Sequence, residues 1–308
     1  MDSRKVKGYT LGFIAASTYG LNPLFALPLL DGGMPPSSVL FLRYLLAVPI
    51  VACMMLVRGR SFGVDRRQLA LLAAFGLTTG VSSLSLFESY RYMDAGIAST
   101  MLFVYPLMVA LIGVFLFKEK LSGYIIFCLA GALAGIALLY RGEDGATLSL
   151  TGTVWVMVSS LTYAVYIVGV NHTALSRIPT LRVTFYVLLF GMLVFLADIL
   201  LRGGLVLPSN ALGWSFVCEL ALFPTAVSFL CTTAAITYIG ATPTAILGAM
   251  EPLTAVVIGV TVFGERLTWT DTAGLLLILV AVTMVILQGT VAHWLARVRY
   301  LFPRKHRR

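Results

Sequence analysis

The chain has 308 residues, of which 59% are hydrophobic and only 11% charged. A soluble domain carries about a quarter charged residues, so composition excludes an ordinary globular protein. The net charge of +9 resembles that of a nucleic-acid binder, but its placement along the chain ties it to membrane topology and no nucleic-acid partner is expected. Apolar runs of about 20 residues, the length that crosses a bilayer core, fall at 9–30, 36–57, 69–90, 96–117, 121–140, 152–171, 181–201, 212–236, 240–263 and 270–290. They predict an all-α integral membrane protein with ten transmembrane helices.

Taken in chain order, the first run carries Thr18-Tyr19-Gly20-Leu21-Asn22, with Tyr19 and Asn22 on one helix face at i,i+3 spacing. The second holds Arg43, about seven residues or ~10 Å below the outer surface. The third holds Glu88 near its outer end, one turn from Arg91, and the close-packing pair Gly76/Gly80. An Arg43–Glu88 ion pair would lock two adjacent helices; alternatively the two residues bind the charged ends of a zwitterionic substrate. Glu219, in the eighth run, is placed to replace Glu88 in either role. The fourth run contains Tyr105-Pro106 and the fifth a second glycine pair, Gly131/Gly135, suited to packing within the bundle or to a homodimer face. In the sixth, Tyr163 and Tyr166 again share a face, as cavity-lining aromatics would. Asp198, four residues before Arg202, reads as a local structural pair.

The ninth run holds Glu251 directly before Pro252. A charge at this depth costs ~2.5–3.5 kcal/mol on insertion scales, so it needs a partner or a task. A proline inside a helix frees the carbonyl four residues earlier, here Leu102 and Gly248. Pro106 and Pro252 are therefore the expected hinges, and Glu251 the group to exchange a proton or hold a cationic substrate group; packing by hydrogen bonds is the plain alternative.

With the N-terminus placed in the cytoplasm, seventeen of the 22 Lys and Arg fall in inner segments. Arg91, Arg141, Arg202 and Arg266 fall outside, and Arg43 lies within a span. That bias requires both termini inside. The stretch 81–122 recurs as 227–268 at a constant offset of 146, with 13 identities in 42 positions, among them Ala95/Ala241, Pro106/Pro252, Gly113/Gly259 and Glu119/Glu265. Five crossings per half invert the second copy: Lys118-Glu119-Lys120 lies inside, its counterpart Gly264-Glu265-Arg266 outside. The expected organisation is a five-helix repeat over 1–145, an inverted one over 146–291, and a basic cytoplasmic tail over 292–308. The tail interleaves its charges with Trp294, Leu295, Tyr300 and Phe302, as a topology anchor or a site for anionic lipid would. The basic start of the chain reads as a retained first helix, not a cleaved signal.

Other chemistry lacks its residues. Cys53, Cys128, Cys218 and Cys231 lie within spans, where no disulfide is expected. His172, His293 and His306 lie in cytoplasmic segments, no phosphate-binding G-x-x-x-x-G-K-[ST] loop occurs, and no nucleophile–base pair can be assembled, so no metal, cofactor or enzyme activity is expected. Internal duplication in a membrane protein points to a secondary transporter with its site between the halves.

The stretches Ala95-Gly-Ile-Ala-Ser-Thr…Tyr105-Pro106…Phe117-Lys-Glu119-Lys-Leu-Ser and Gly240-Ala-Thr-Pro-Thr-Ala…Glu251-Pro252-Leu…Gly264-Glu265-Arg-Leu-Thr resemble the repeat signature of EamA-type transporters of the drug/metabolite transporter superfamily. Phe41-Leu-Arg43-Tyr is similar to an early motif of that family. The resemblance covers essentially the whole chain. It implies ten spans in two inverted repeats, a central cavity, alternating access and a bacterial inner membrane, with members that mostly export amino acids or related metabolites. Tyr105 standing where Glu251 stands in the other half makes the centre asymmetric. The expected function is therefore export of an amino acid or related metabolite, with Tyr19, Asn22, Arg43, Glu88, Tyr105, Tyr163, Tyr166 and Glu251 as site residues and possible proton coupling, in a monomer or homodimer. Uptake of an organic cation such as choline and a non-transporting membrane sensor are the alternatives.

Overall fold

In a computed structural model of the chain, residues 3–117, 123–140, 149–239, 244 and 247–301 are described, and all regular structure among them is helical. In hydrocarbon every backbone N–H and C=O must be satisfied within the segment, which these long apolar stretches achieve as α1 (Ser3–Gly20), α2 (Asn22–Asp31), α3 (Pro36–Val57), α4 (Arg66–Ser89), α5 (Ala95–Leu102), α6 (Tyr105–Phe117), α7 (Gly123–Tyr140), α8 (Leu150–His172), α9 (Thr180–Arg202), α10 (Ala211–Ala221), α11 (Ser228–Ile239), α12 (Met250–Val262) and α13 (Trp269–Leu301). Seven helical stretches among the described residues are long and apolar enough to cross a membrane, with α1 and α2, α5 and α6, and α10 and α11 each counted as one; Ile126–Leu138, Met250–Val262 and Trp269–Met284 are shorter apolar helices. The protein is a multi-pass membrane protein. The Lys118-Glu119-Lys120 and Gly240–Thr242 motifs, and the last residues of the basic tail, lie outside the described residues.

One end of the bundle, here the upper end, gathers the turns after α2, α4, α9 and α12. Val206 N–H donates to Ser38 Oγ (3.1 Å), and Ala95 N–H donates to Glu265 Oε1 (3.0 Å). At the lower end Arg182 and Tyr186 donate to the Gly63 and Phe62 carbonyls at 2.8 and 2.7 Å, and Lys7 lies over the Tyr238 ring. Tyr92 packs at the upper end beside Gly152. Its repeat equivalent Tyr238 is at the lower end.

Small residues let the helices approach. A Cβ at Gly80 would stand 2.6 Å from the Gly191 carbonyl of α9, and one at Gly135 would stand 2.8 Å from the Gly274 carbonyl of α13. Both glycine pairs are thus used inside the chain. The homodimer face expected at Gly131/Gly135 is already covered by α13. Between α4 and α8, Ser82 Oγ donates to the Ser159 carbonyl (2.9 Å) and Ser159 Oγ to the Ser82 carbonyl (2.7 Å), a reciprocal clasp that leaves neither hydroxyl bare in the core.

The prolines depart from expectation. Pro106 and Pro252 are not in helix interiors: the chain turns at Phe103–Val104 and at Gly248–Ala249, and each proline enters the first turn of a new helix, α6 and α12. There the missing N–H has no partner to lose and the fixed φ suits the helix start. The orphaned carbonyls are nonetheless met. Ser160 Oγ donates to the Leu102 carbonyl (2.7 Å), and Glu251 N–H donates to that of Gly248 (3.0 Å).

Close packing at Gly80 yields a stability prediction. Gly80→Val, forced against the α9 backbone, costs about 1–3 kcal/mol and lowers the thermal midpoint in detergent. Gly123→Ala, where an added Cβ meets open space, stays within about 0.5 kcal/mol.

Candidate functional site

Two further prolines determine how the site is built. Pro23 opens α2 and cannot donate to the Tyr19 carbonyl four residues back. The Asn22 side-chain amide does so instead, Nδ2 to Tyr19 O at 2.9 Å. Pro224 sits in a widened i→i+5 turn, Leu222–Val227, between α10 and α11. It orphans the Leu220 carbonyl, and Thr225 Oγ1 donates to that oxygen at 3.0 Å. Each repair leaves a side-chain oxygen with free lone pairs, and both oxygens aim at one residue. Arg43 Nη1 donates to Asn22 Oδ1 (2.8 Å) and Arg43 Nε to Thr225 Oγ1 (3.0 Å).

Arg43 is only 6% exposed and Asn22 only 4%, so a guanidinium is held inside the bundle by neutral acceptors. These use two of its five N–H groups, leaving three without a partner among the described residues. The expected ion pair with Glu88 is not formed, nor one with Glu219. Glu88, 3% exposed, turns to the upper end. Arg91 Nη1 lies 3.2 Å from its Oε2, and Arg202 Nη1 approaches its Oε1 to 3.2 Å without hydrogen-bond alignment. Arg202 Nε also donates to Asp198 Oδ1 (2.8 Å), the local pair read from sequence. The reason is proximity along the helix: Arg91 is one turn away on the same chain, and Arg202 closes the gap from α9. Glu88 ties α4 to α9.

Glu251 also departs from expectation. It lies in the first turn of α12, not mid-helix, so the positive end of that helix's dipole faces its carboxylate. Gly20 of α1 packs on its backbone carbonyl, bringing Tyr19 near. Glu251 lies within electrostatic reach of Tyr19, Tyr90, Tyr105 and Tyr163. Among the described residues no cation pairs with Glu251, since the ion pairs found there use only Glu88 and Asp198 as acids. Tyr105 meets Tyr163 edge-to-face at 4.8 Å, and Tyr163 stacks on Tyr166 at 5.9 Å, a geometry favoured by the ring quadrupoles. Tyr19, Tyr105, Tyr163, Tyr166 and Glu251 all keep part of their surface open.

Tyr19 and Tyr90 also lie within electrostatic reach of Arg43, and the Tyr19 carbonyl is bound by the same Asn22 side chain that holds Arg43. Arg43 and Glu251, neither of them in an ion pair among the described residues, thus border one tyrosine cluster. Of the sequence-predicted residues, Tyr19, Asn22, Arg43, Tyr105, Tyr163, Tyr166 and Glu251 are brought together, and Glu88 is not. Thr225 and Tyr90 were missed. Thr225 carries a signal in hindsight, a polar residue beside a mid-span proline, as Asn22 is. Tyr90, at the end of an apolar run, resembles an ordinary interface aromatic. An open groove of about 550 Å³ along α3, lined by Pro49, Ile50, Cys53, Met54, Val57 and Leu230 with Arg58 at its rim, has none of this polar chemistry. Among the described residues no group of three or more His, Cys, Asp or Glu is placed to hold a metal ion.

Comparison with known proteins gives a consistent picture. The model of the EamA-like transporter family matches residues 6–141 and 150–287. An uncharacterized transporter of Archaeoglobus fulgidus is 29% identical over 223 residues, covering 72% of this chain and 77% of the relative. The uncharacterized transporter YxxF of Bacillus subtilis is 24% identical, with 83% of each chain covered. A protein of known crystal structure, 20% identical, superposes with a TM-score of 0.65 over 94% of this chain and 98% of its own; at that identity the likeness speaks for the fold alone.

The Thr225 hydroxyl serves two partners at once, so its removal is costly. Thr225→Val leaves a carbonyl and a guanidinium N–H unpaired and destabilises by about 1–3 kcal/mol, seen as a lowered thermal midpoint in detergent. Thr225→Ser keeps the hydroxyl and most of the stability.

Proposed function

The chain belongs to the EamA-like transporter family, and from that premise we propose that it is a secondary transporter exporting an amino acid or related zwitterionic metabolite by alternating access. The observation that carries the substrate class is the pair of unpartnered charges, Arg43 and Glu251, facing one tyrosine cluster. A guanidinium with three N–H groups to spare accepts a carboxylate in bidentate fashion. Asn22 and Thr225 hold it in position without neutralising it. At the other end Glu251 receives the substrate's ammonium, and Tyr19, Tyr90, Tyr105, Tyr163 and Tyr166 supply ring faces for that cation and the substrate's apolar part. An organic cation with no carboxylate would leave Arg43 buried and unanswered, so cation uptake is the poorer reading.

The cycle follows from the fold. In this reading the protein spans a bacterial inner membrane ten times as two inverted five-helix repeats, 1–145 and 146–291, with both termini and the basic 292–308 tail in the cytoplasm. The opposite-end placement of Tyr92 and Tyr238 supports the inversion. The turns at Phe103–Val104 and Gly248–Ala249, each followed by Pro106 or Pro252, are the points at which helix halves reorient. Glu251 releases or takes up a proton as the substrate amine binds or leaves, coupling flux to the proton gradient.

Two variants test the assignment in proteoliposomes. Glu251→Gln lowers amino-acid flux at least tenfold and flattens its dependence on pH; an unchanged pH profile removes the proton role. Arg43→Lys keeps the charge but loses the planar fork, and weakens apparent affinity for the zwitterion by about tenfold or more while the protein stays folded.

A further inference from the structure

The first-turn amides of α5 are capped from the other half of the chain. Glu265, beyond the end of α12, accepts a hydrogen bond from the Ala95 N–H (3.0 Å), and its carboxylate also lies beside Gly96. Its carboxylate sits in a seat that only glycine permits: a Cβ at Gly259 would collide with it, and one at Gly96 would stand 3.0 Å from both Glu265 Oε2 and Val256 Cα. Asp94 occupies the N-cap position of α5 and is of a residue type that caps well, yet its side chain makes no cap bond. The cross-half cap has displaced the local one. Burial and the neighbouring Asp271 carboxylate push Asp94 above the usual carboxylate range, and burial followed by Asp94 pushes Glu265 up against the pull of the Ala95 and Gly96 N–H groups. The two acids stand at the same helix terminus.

Three parts of this arrangement recur in the internal repeat, the carboxylate (Glu119/Glu265), one glycine of its seat (Gly113/Gly259) and the capped alanine (Ala95/Ala241), while the position equivalent to Gly96 is Thr242. Glu119 and Ala241 lie outside the described residues, so the inference for that half comes from the repeat. We propose that Glu265 is a latch that holds α5 and α12 together and closes the upper end in this conformation, and that Glu119 is its inverted counterpart, closing the lower end in the alternate conformation. When the upper latch opens, Asp94 is placed to cap α5 through its N2 or N3 amide, so the exchange carries no uncapped helix terminus through the cycle. The position equivalent to Asp94 in the other half is Gly240, which has no side chain to substitute. This device rests on the alternating-access reading and adds to it the residues that hold each end shut.

The test is a distance across the upper end. Spin labels are placed at Tyr92→Cys and Trp269→Cys, both exposed, on the full chain with its four native cysteines replaced, in lipid nanodiscs. Pulsed electron paramagnetic resonance of the parent protein gives a major short distance and a minor long one. Glu265→Ala raises the long-distance fraction relative to the short by about tenfold, the factor that loss of a helix cap implies. Gly259→Val, which keeps the carboxylate but fills its seat, acts in the same direction. Glu265→Gln, which retains one acceptor oxygen, falls between parent and Glu265→Ala and serves should the alanine variant fail to fold. Glu119→Ala shifts the ratio the other way. Two populations in the parent that these substitutions leave unmoved, or a Glu119→Ala shift in the same direction as Glu265→Ala, overturn the latch alone. One unchanging distance in the parent and every variant overturns the latch together with alternating access.

Discussion

A guanidinium inside a hydrocarbon-embedded bundle must be met by acceptors, and at Arg43 those acceptors are by-products of broken helices. Pro23 strips the Tyr19 carbonyl of its donor and Pro224 does the same to Leu220. Asn22 and Thr225 repair these losses, and their remaining lone pairs hold the Arg43 side chain. Without the prolines both side chains would have no reason to turn inward. Had a carboxylate taken their place, Arg43 would be neutralised and of no use to a ligand. Neutral acceptors keep the cation in place and keep its charge available, which is why the remainder of the site makes sense as a receptor for an anionic group.

The same economy of backbone repair runs through the bundle. Breaks at Leu21, Phe103–Val104, Leu222–Val227 and Gly248–Ala249 concentrate loose backbone polar groups around the tyrosine cluster, and each orphaned carbonyl finds a donor from Asn22, Ser160, Thr225 or the Glu251 amide. Discontinuous helices in a membrane are tolerated only where protein or a water-lined space satisfies them. Here they also aim the α12 N-terminus, with Glu251 in its first turn, at the interior. Away from the centre the joints are tighter: glycine-to-backbone contacts between α4 and α9 and between α7 and α13, the Ser82–Ser159 clasp, and the Glu88–Arg91–Arg202–Asp198 network. Rigid pairs of helices around a discontinuous centre are the mechanical requirement for two halves that rock against each other.

Much of this was legible before any coordinates. Long apolar runs report helices because nothing else survives in hydrocarbon, and residues such as Tyr105, Tyr163 and Glu251 stand out because polar groups at depth are rare. The i,i+4 pair Asp198–Arg202 is local and was read correctly. What escaped were partners chosen by tertiary approach. Glu88 and Arg43 read as partners because both are buried charges, but Arg202 reaches Glu88 from α9, 114 residues along the chain. Pro106 and Pro252 were placed inside helices because hydropathy does not register a two-residue turn within an apolar run. The spacing of Gly131/Gly135 marks a close-packed helix face, but spacing alone cannot say that α13 fills it.

The central claim, that Arg43 and Glu251 hold the two ends of one zwitterion, is most directly tested by competition in counterflow. Proteoliposomes preloaded with an unlabelled amino acid accumulate its labelled form, and competitors are added outside: the intact amino acid, the amine lacking the carboxylate, and the acid lacking the amine. Two-ended recognition predicts that only the intact amino acid competes well, with each truncated analogue weaker by about 100-fold, because it leaves a buried charge unpaired. An amine that competes as well as the full amino acid would contradict it, leaving Arg43 without a ligand.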